Sequence, residues 1–555
     1  MTKFKLLLLL VTVILSCKKA NTPQEPLHTL TSWQSYDETI DLAGTQELQN
    51  SRMHLKLINS KILDKNTIWE PVITALEQFS LERYAALTAL ILEKSIPELQ
   101  HSIKDGKFTY EELALFYCYR IYKYEHDNEK QLNGIIAINP QVIAQARALD
   151  KVDKSTIDPY SLYGMPILLK DNIGAEGMYT TAGAIALQEN SAPDAFITKR
   201  LKAENAILLG KANLSEWAYY LCTGCPVGYS AVGGQTINPY GRLRFESGGS
   251  SSGSGVTVAA NYAVAAIGTE TAGSILSPSS QNSVVGLKPT IGVLSRSGIV
   301  PISSTLDTPG PMTKNVIDNA ILMDALIGYD ENDSASKKLN KQYIQGVKEA
   351  SVSGKRFGVI KAFLQDTLYQ QATLDIEKAG GVLVEISPEQ LQLPGFLTLL
   401  NIDMKNDLPA YLKANASANI TITDIPSAVA FNKQDTLIHI PYGQQLFEGI
   451  VNDSTTADDF ADIKRNLEET GRRYFDVSMD THKLDAVLSI NNFHAAYAAV
   501  AKYPALTVPM GYTDEGEPKG LTFIGKPLSE KLLLQLASKY EEVSRRRELP
   551  ALYAE

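Results

Sequence analysis

Histidine, cysteine and tryptophan are scarce in this sequence, at 7, 4 and 3 residues among 555. Histidines scattered from His28 to His494 give no ligand cluster, so no metal is expected. Cys222-Thr223-Gly224-Cys225 is one C-x-x-C without a second pair, a weak zinc signal. A local disulfide or two unrelated thiols are the alternatives there, and Cys118 reads as a core residue. Basic excess is missing as well: 52 Lys+Arg against 62 Asp+Glu leave a net charge of −10, which argues against a nucleic-acid partner. What is present is 44% hydrophobic and 21% charged residues, a composition that buries a substantial core and excludes disorder as the main state. The chemistry is therefore sought among hydroxyls, amines and carboxylates.

Long uncharged apolar runs are confined to the start. Lys3 and Lys5 precede the apolar stretch Leu6–Leu15, and Ser16 precedes Cys17. A membrane-spanning helix needs about 20 such residues, so this shorter run reads as a signal peptide over residues 1–16. Ile14-Leu15-Ser16-Cys17 resembles a bacterial lipobox. Cys17 is thus the expected lipidation site, with an ordinary cleaved signal as the alternative, and 17–31 reads as a polar tether. The expected location is the bacterial cell envelope, lipid-anchored or periplasmic.

Residues 32–94 show helical spacing, lack the glycine and proline punctuation of a strand-rich region, and read as a helical N-terminal extension. Helix starts follow at Ser95 and at Thr109, where Thr109 and Glu112 fit a capping box. Beyond Tyr160, short apolar runs such as Pro166–Leu169 and Ala206–Leu209 alternate with helical stretches, the pattern of an α/β domain. That domain is expected over 95–550, with a charged variable insertion at 331–480 and strands returning at Leu484–Ile490, Ala505–Pro509 and Gly520–Ile524.

The segment Gly248–Gly255 (GGSSSGSG) is followed by small apolar residues and a second glycine-rich turn, Gly268–Ser274 (GTETAGS). A Walker phosphate cradle would need lysine after its last glycine, and Gly253 is followed by Ser254 and Gly255. A flexible linker would not continue into a small-residue helix. Gly249-Ser250-Ser251-Ser252-Gly253 formally matches G-x-S-x-G, with Ser251 as nucleophile of a His-dependent serine esterase, but no strand precedes it and the bases on offer are His439, His482 and His494. A lysine-based serine hydrolase remains the other version.

Gly248–Gly255, Gly268–Pro278, Val284–Pro301 and Leu306–Met312 resemble the amidase signature family, specifically its peptide amidase branch, as do Tyr163–Asn172, Ala212–Trp217 and Tyr503–Gly511. The resemblance implies a large mixed β-sheet covered by helices on both faces. It also implies a Ser-Ser-Lys triad of Ser274 as nucleophile, Ser250 as bridging serine in a cis peptide bond, and Lys170 as base. The backbone N–H groups of Thr271, Ala272, Gly273 and Ser274 would form the oxyanion hole, and Asp171 and Thr269 could support the site. Ala272 stands where the family commonly has glycine, and Leu276 where it commonly has arginine, which disfavours an anionic substrate group beside position 276. The implied activity is hydrolysis of carboxamides, with C-terminal peptide amides as candidate substrates, no cofactor and no obligate protein partner. An amidotransferase subunit, the His-dependent esterase and a non-catalytic binding lipoprotein are the alternatives. Cys17→Ser is expected to abolish acylation and leave an unprocessed chain, read by mass spectrometry of the N-terminal fragment; an unlipidated mature chain from the unaltered sequence would contradict the lipobox.

Overall fold

The computed structural model describes residues 26–555, so the signal, Cys17 and most of the tether lie outside the described residues. Among the described residues thirteen strands are formed: β1 Ile135–Ile138, β2 Pro166–Lys170, β3 Ile207–Ala212, β4 Tyr229–Ser230, β5 Gly234–Gln235, β6 Ala265–Glu270, β7 Val285–Lys288, β8 Thr308–Thr313, β9 Arg356–Ile360, β10 Val382–Ile386, β11 Ala486–Ile490, β12 Ala505–Tyr512 and β13 Pro518–Ile524. Eleven join one sheet in the order β1-β3-β2-β6-β8-β7-β12-β13-β11-β9-β10, while β4 and β5 pair apart. The sheet is mixed: β2 runs parallel to β3 and β6, β9 parallel to β10 and β11, and β12 antiparallel to β7 and β13. Its central strands are buried along their whole length, which is why they read as continuous apolar runs rather than alternating ones.

Local signals carry the helices that flank this sheet. Ser95 and Thr109 both close capping boxes, on Ile96–Lys104 and Tyr110–Glu125. The helix Ser252–Ala259 is wholly buried and packs against the sheet. Its glycines permit that closeness, since a Cβ on Gly253 would sit 2.4 Å from the backbone N and O of Asn213. Cys118 is fully buried, and Cys222 and Cys225 are joined as a disulfide. No helix among the described residues is long and apolar enough to cross a membrane.

Two expectations need correction. Residues 32–94 contain helices at Thr39–Thr45, Asn66–Trp69, Ile73–Glu77 and Leu81–Ile91, but the chain between 46 and 65 is irregular apart from one short turn. Its backbone is claimed by distant groups: the Glu38 carboxylate accepts from the N–H groups of Ile58 and Asn59, and Gln235 N–H donates to the Ile58 carbonyl. Residues 331–480 are not simply an insertion either, because β9 and β10 extend the central sheet at its edge. The helices Phe396–Asn415, Ile425–Asn432, Gln445–Asn452 and Ala457–His482 then build a second core with Trp217, Ile302 and Leu306.

Arg120, fully buried on the helix Tyr110–Glu125, ties distant segments together. It donates to the carbonyls of Ala260 (3.0 Å), Glu555 (2.9 Å) and Tyr553. Arg120→Met leaves the Ala260 and Tyr553 carbonyls without this donor, while Glu555 keeps the Tyr124 hydroxyl at 2.6 Å, and a loss of about 3 kcal/mol in unfolding free energy is expected. An unchanged urea midpoint would contradict this.

Candidate active site

Lys170 ends β2, between β3 and β6 near the middle of the sheet's parallel half, and its side chain has no solvent exposure. Nζ donates to Ser250 Oγ at 2.8 Å, to Thr269 Oγ1 at 2.8 Å and to the Thr269 carbonyl at 3.2 Å. All three partners are uncharged. Burial pushes the Lys170 amine down to about 7, opposed in part by the charges of Asp307 and Glu270.

The neighbouring carboxylate does not compensate it. Asp171 is engaged by the buried Lys211, 3.4 Å away, and by the N–H and hydroxyl of Thr181. Burial raises the Asp171 carboxyl and lowers the Lys211 amine. With these two matched to each other, Lys170 is left without a counter-ion in contact.

Ser250 and Ser274 come together through the backbone of their segments. Ser251 N–H donates to the Ser274 carbonyl at 3.1 Å, and Ser215 N–H donates to the Ser250 carbonyl at 3.0 Å. The Gly249–Ser250 peptide bond is cis. Ser250 is fully buried, whereas Ser274 is partly accessible. Among the described residues, the N–H groups of Ala272, Gly273 and Ser274 meet no acceptor, while those of the next two residues do. Ile275 N–H (2.7 Å) and Leu276 N–H (2.9 Å) are held by Glu270 Oε2, which shapes the turn from behind. Thr271 faces Asp307, donating its hydroxyl to Oδ1 at 2.6 Å. Burial pushes the Asp307 carboxyl up to about 6.

Other sequence candidates fall elsewhere. Ser251 Oγ donates to the Thr269 carbonyl (3.0 Å) and accepts from Thr269 N–H (3.1 Å), so its hydroxyl serves packing. The three histidines do not pair with it. His494 bonds Ser489 at 2.6 Å, His439 stacks on Phe431, and His482 is exposed at a helix end. No strand leads into Ser251, since residues 236–251 are irregular. Leu276 is buried in an apolar cluster with Tyr474, Phe475 and Ala498, leaving no cation at that position.

Sequence reasoning missed Glu270, Asn172 and Asp307. Glu270 could have been found as the acid that ends a strand ahead of the glycine-rich turn, whereas the others act through folding contacts. A cavity of about 550 Å³ opens beside Thr269 and Thr271, also lined by Asn172, Ala218 and Asp307.

With this geometry in view, comparison with known proteins gives one answer. The family model described as Amidase matches residues 112–489. A solved amidase family protein from Bacillus anthracis str. Ames is 36% identical, with a TM-score of 0.84, covering 89% of this chain and 99% of its own. The native peptide amidase from Stenotrophomonas maltophilia is 35% identical, with a TM-score of 0.78, over 83% and 98% of the two chains. A probable amidase of Arabidopsis thaliana is 32% identical over 489 residues, 84% of this chain and 93% of that protein. The chain belongs to the amidase signature family and is an amide-hydrolysing enzyme.

Gly273 has φ +97°, and a Cβ there would lie 3.0 Å from Asn492 Nδ2. Gly273→Ala must therefore twist the turn bearing the free N–H groups. A loss in kcat of about 100-fold or more is expected, the scale of one lost oxyanion donor. Near-normal turnover would contradict this reading of the turn.

Proposed function

We propose that this protein is an exported amidase that cleaves carboxamide bonds, C-terminal peptide amides among them, through Ser274, Ser250 and Lys170. The observation that carries the reading is the buried Lys170 amine, held by hydroxyl and carbonyl oxygens alone and 2.8 Å from Ser250 Oγ. Family resemblance to a peptide amidase supports the substrate class. The Lys3-to-Cys17 leader supports export and a lipid anchor at Cys17 in the cell envelope, and argues against a cytosolic amidotransferase role.

An amide is a weak electrophile with a poor leaving group, so three tasks must be met. Neutral Lys170 draws the Ser274 proton through Ser250, and Ser274 Oγ adds to the carbonyl carbon. The oxyanion that forms accepts from the backbone N–H groups of Thr271, Ala272, Gly273 and Ser274. Protonated Lys170 returns the proton through Ser250 to the departing nitrogen, which leaves as ammonia or amine. Water then attacks the acyl-serine with the same base, releasing the carboxylic acid and restoring Ser274. A histidine-dependent esterase lacks a base at Ser251, and a non-catalytic lipoprotein would not need the Lys170–Ser250 contact.

The pH dependence tests this. Because Lys170 must be neutral, kcat/KM is expected to rise with pH through about 7 and then level. Lys170→Arg and Lys170→Met should each lose about a thousandfold or more, since guanidinium stays protonated and methionine takes no proton. Stability changes in the same sense as activity. Between about 7 and 10.5 the unfolded lysine binds more protons than the folded one, so this group's contribution to stability rises with pH across that window and is lowest below it. Lys170→Met should then be at least as stable as the unaltered protein at pH 6. Near-normal turnover by Lys170→Met would overturn the assignment.

A further inference from the structure

The cavity beside Thr269 and Thr271 lies in the size range of small-molecule and short-peptide sites. Its wall is unevenly charged. Asp194 is neutralised by Lys202 at 2.6 Å, and Asp333 by Arg296. Asp307, Asp330 and Asp407 also line the cavity; among the described residues none of the three has a cation in ion-pairing contact, while the charge of Arg296 reaches Asp307 and Asp407 from farther off. The other lining cation, Lys199, is exposed and screened by water.

Asp407 is partly exposed on the cavity wall. It stands on the helix Phe396–Asn415, one turn after Asp403; Oδ2 accepts from Ser304 N–H at 2.6 Å, and the Ser304 side chain also hydrogen-bonds the carboxylate. Burial and the neighbouring Asp403 push its carboxyl up, opposed in part by the hydrogen bonds from Ser304 and by the charge of Arg296, and the net shift is upward.

A second observation is independent of these acids. Asn172 is 2% exposed and lines the same cavity. Its Nδ2 donates to Thr269 Oγ1 at 3.0 Å, yet its Oδ1 is buried with no donor. A buried acceptor without a donor is costly unless a ligand supplies one. Thr269 is also a partner of Lys170, so this acceptor sits one contact from the amine.

We propose that the cavity is a subsite for peptide amides carrying an ammonium or guanidinium group on the acyl side, with Asp407 facing the cation and Asn172 Oδ1 accepting a substrate N–H. This rests on the amidase reading and names its preferred substrate class. Asp307 and Asp330 add to the field, and the apolar Leu276 leaves no competing cation beside the nucleophile.

The test uses N-acetyl-L-argininamide and its neutral isostere N-acetyl-L-citrullinamide. Calorimetric titration into the Ser274→Ala protein reads binding without turnover, and kcat/KM of the unaltered enzyme is measured alongside. The arginine amide is expected to bind at least about tenfold tighter at low ionic strength, with the ratio shrinking at about 0.5 M salt. Asp407→Asn keeps an oxygen for Ser304 N–H and should bring the ratio to within about twofold. If that variant does not fold, the salt dependence of the protein with Asp407 intact still decides. Equal binding of the two amides overturns the proposal, even where both are hydrolysed and the amidase reading stands. Preferential binding of the arginine amide without hydrolysis of either supports the subsite and overturns the reading of the triad as hydrolytic.

Discussion

An amine taken wholly out of water and given no carboxylate in contact is the constraint around which this molecule is arranged. Lys170 could be paired easily, since Asp171 follows it directly, but that carboxylate is engaged by Lys211 and Thr181. The cost of burying a charge then falls on the protonated form of Lys170 and lowers its pKa. Strand position enforces this. β2 lies between β3 and β6, so the end of the strand is surrounded by protein rather than solvent.

The small residues of the two glycine-rich segments serve the same end. Gly253 lets the Ser252–Ala259 helix approach Asn213, which holds the Ser250–Ser251 segment against the turn that carries Ser274. Glu270 fixes that turn by accepting from Ile275 and Leu276, so the three preceding N–H groups stay unengaged. Unengaged donors held by rigid packing can stabilise a developing oxyanion without reorganisation.

Much of this was legible in the sequence because its causes are local. Capping boxes at Ser95 and Thr109 lie within four residues, and continuous apolar runs mark buried strands such as β2, β3 and β11. Lys170, Ser250 and Ser274 were named through motif resemblance, and the contact between Lys170 and Ser250 spans 80 positions. What could not be read depends on the folded state alone. The Thr271–Asp307 bond, the match of Asp171 with Lys211, and the wall supplied by Asp407 join segments with no mutual sequence signal. The irregular chain at 46–65 is of the same kind, its backbone groups satisfied by Glu38 and Gln235 instead of by a helix. β9 and β10 were missed because short apolar runs between charged helices do not announce the sheet they join.

The mechanism requires the Lys170 amine to be neutral near physiological pH in the folded protein. A titration of lysines carrying 13C at Cε, followed by NMR and assigned by difference against Lys170→Met, measures this directly. That assignment is needed because burial also lowers Lys65, Lys288 and Lys314, each to about 8. A single resonance, absent from the variant, is expected to titrate near pH 7. A Lys170 resonance that stays in the ammonium form beyond about pH 9.5, as an unperturbed lysine would, contradicts it.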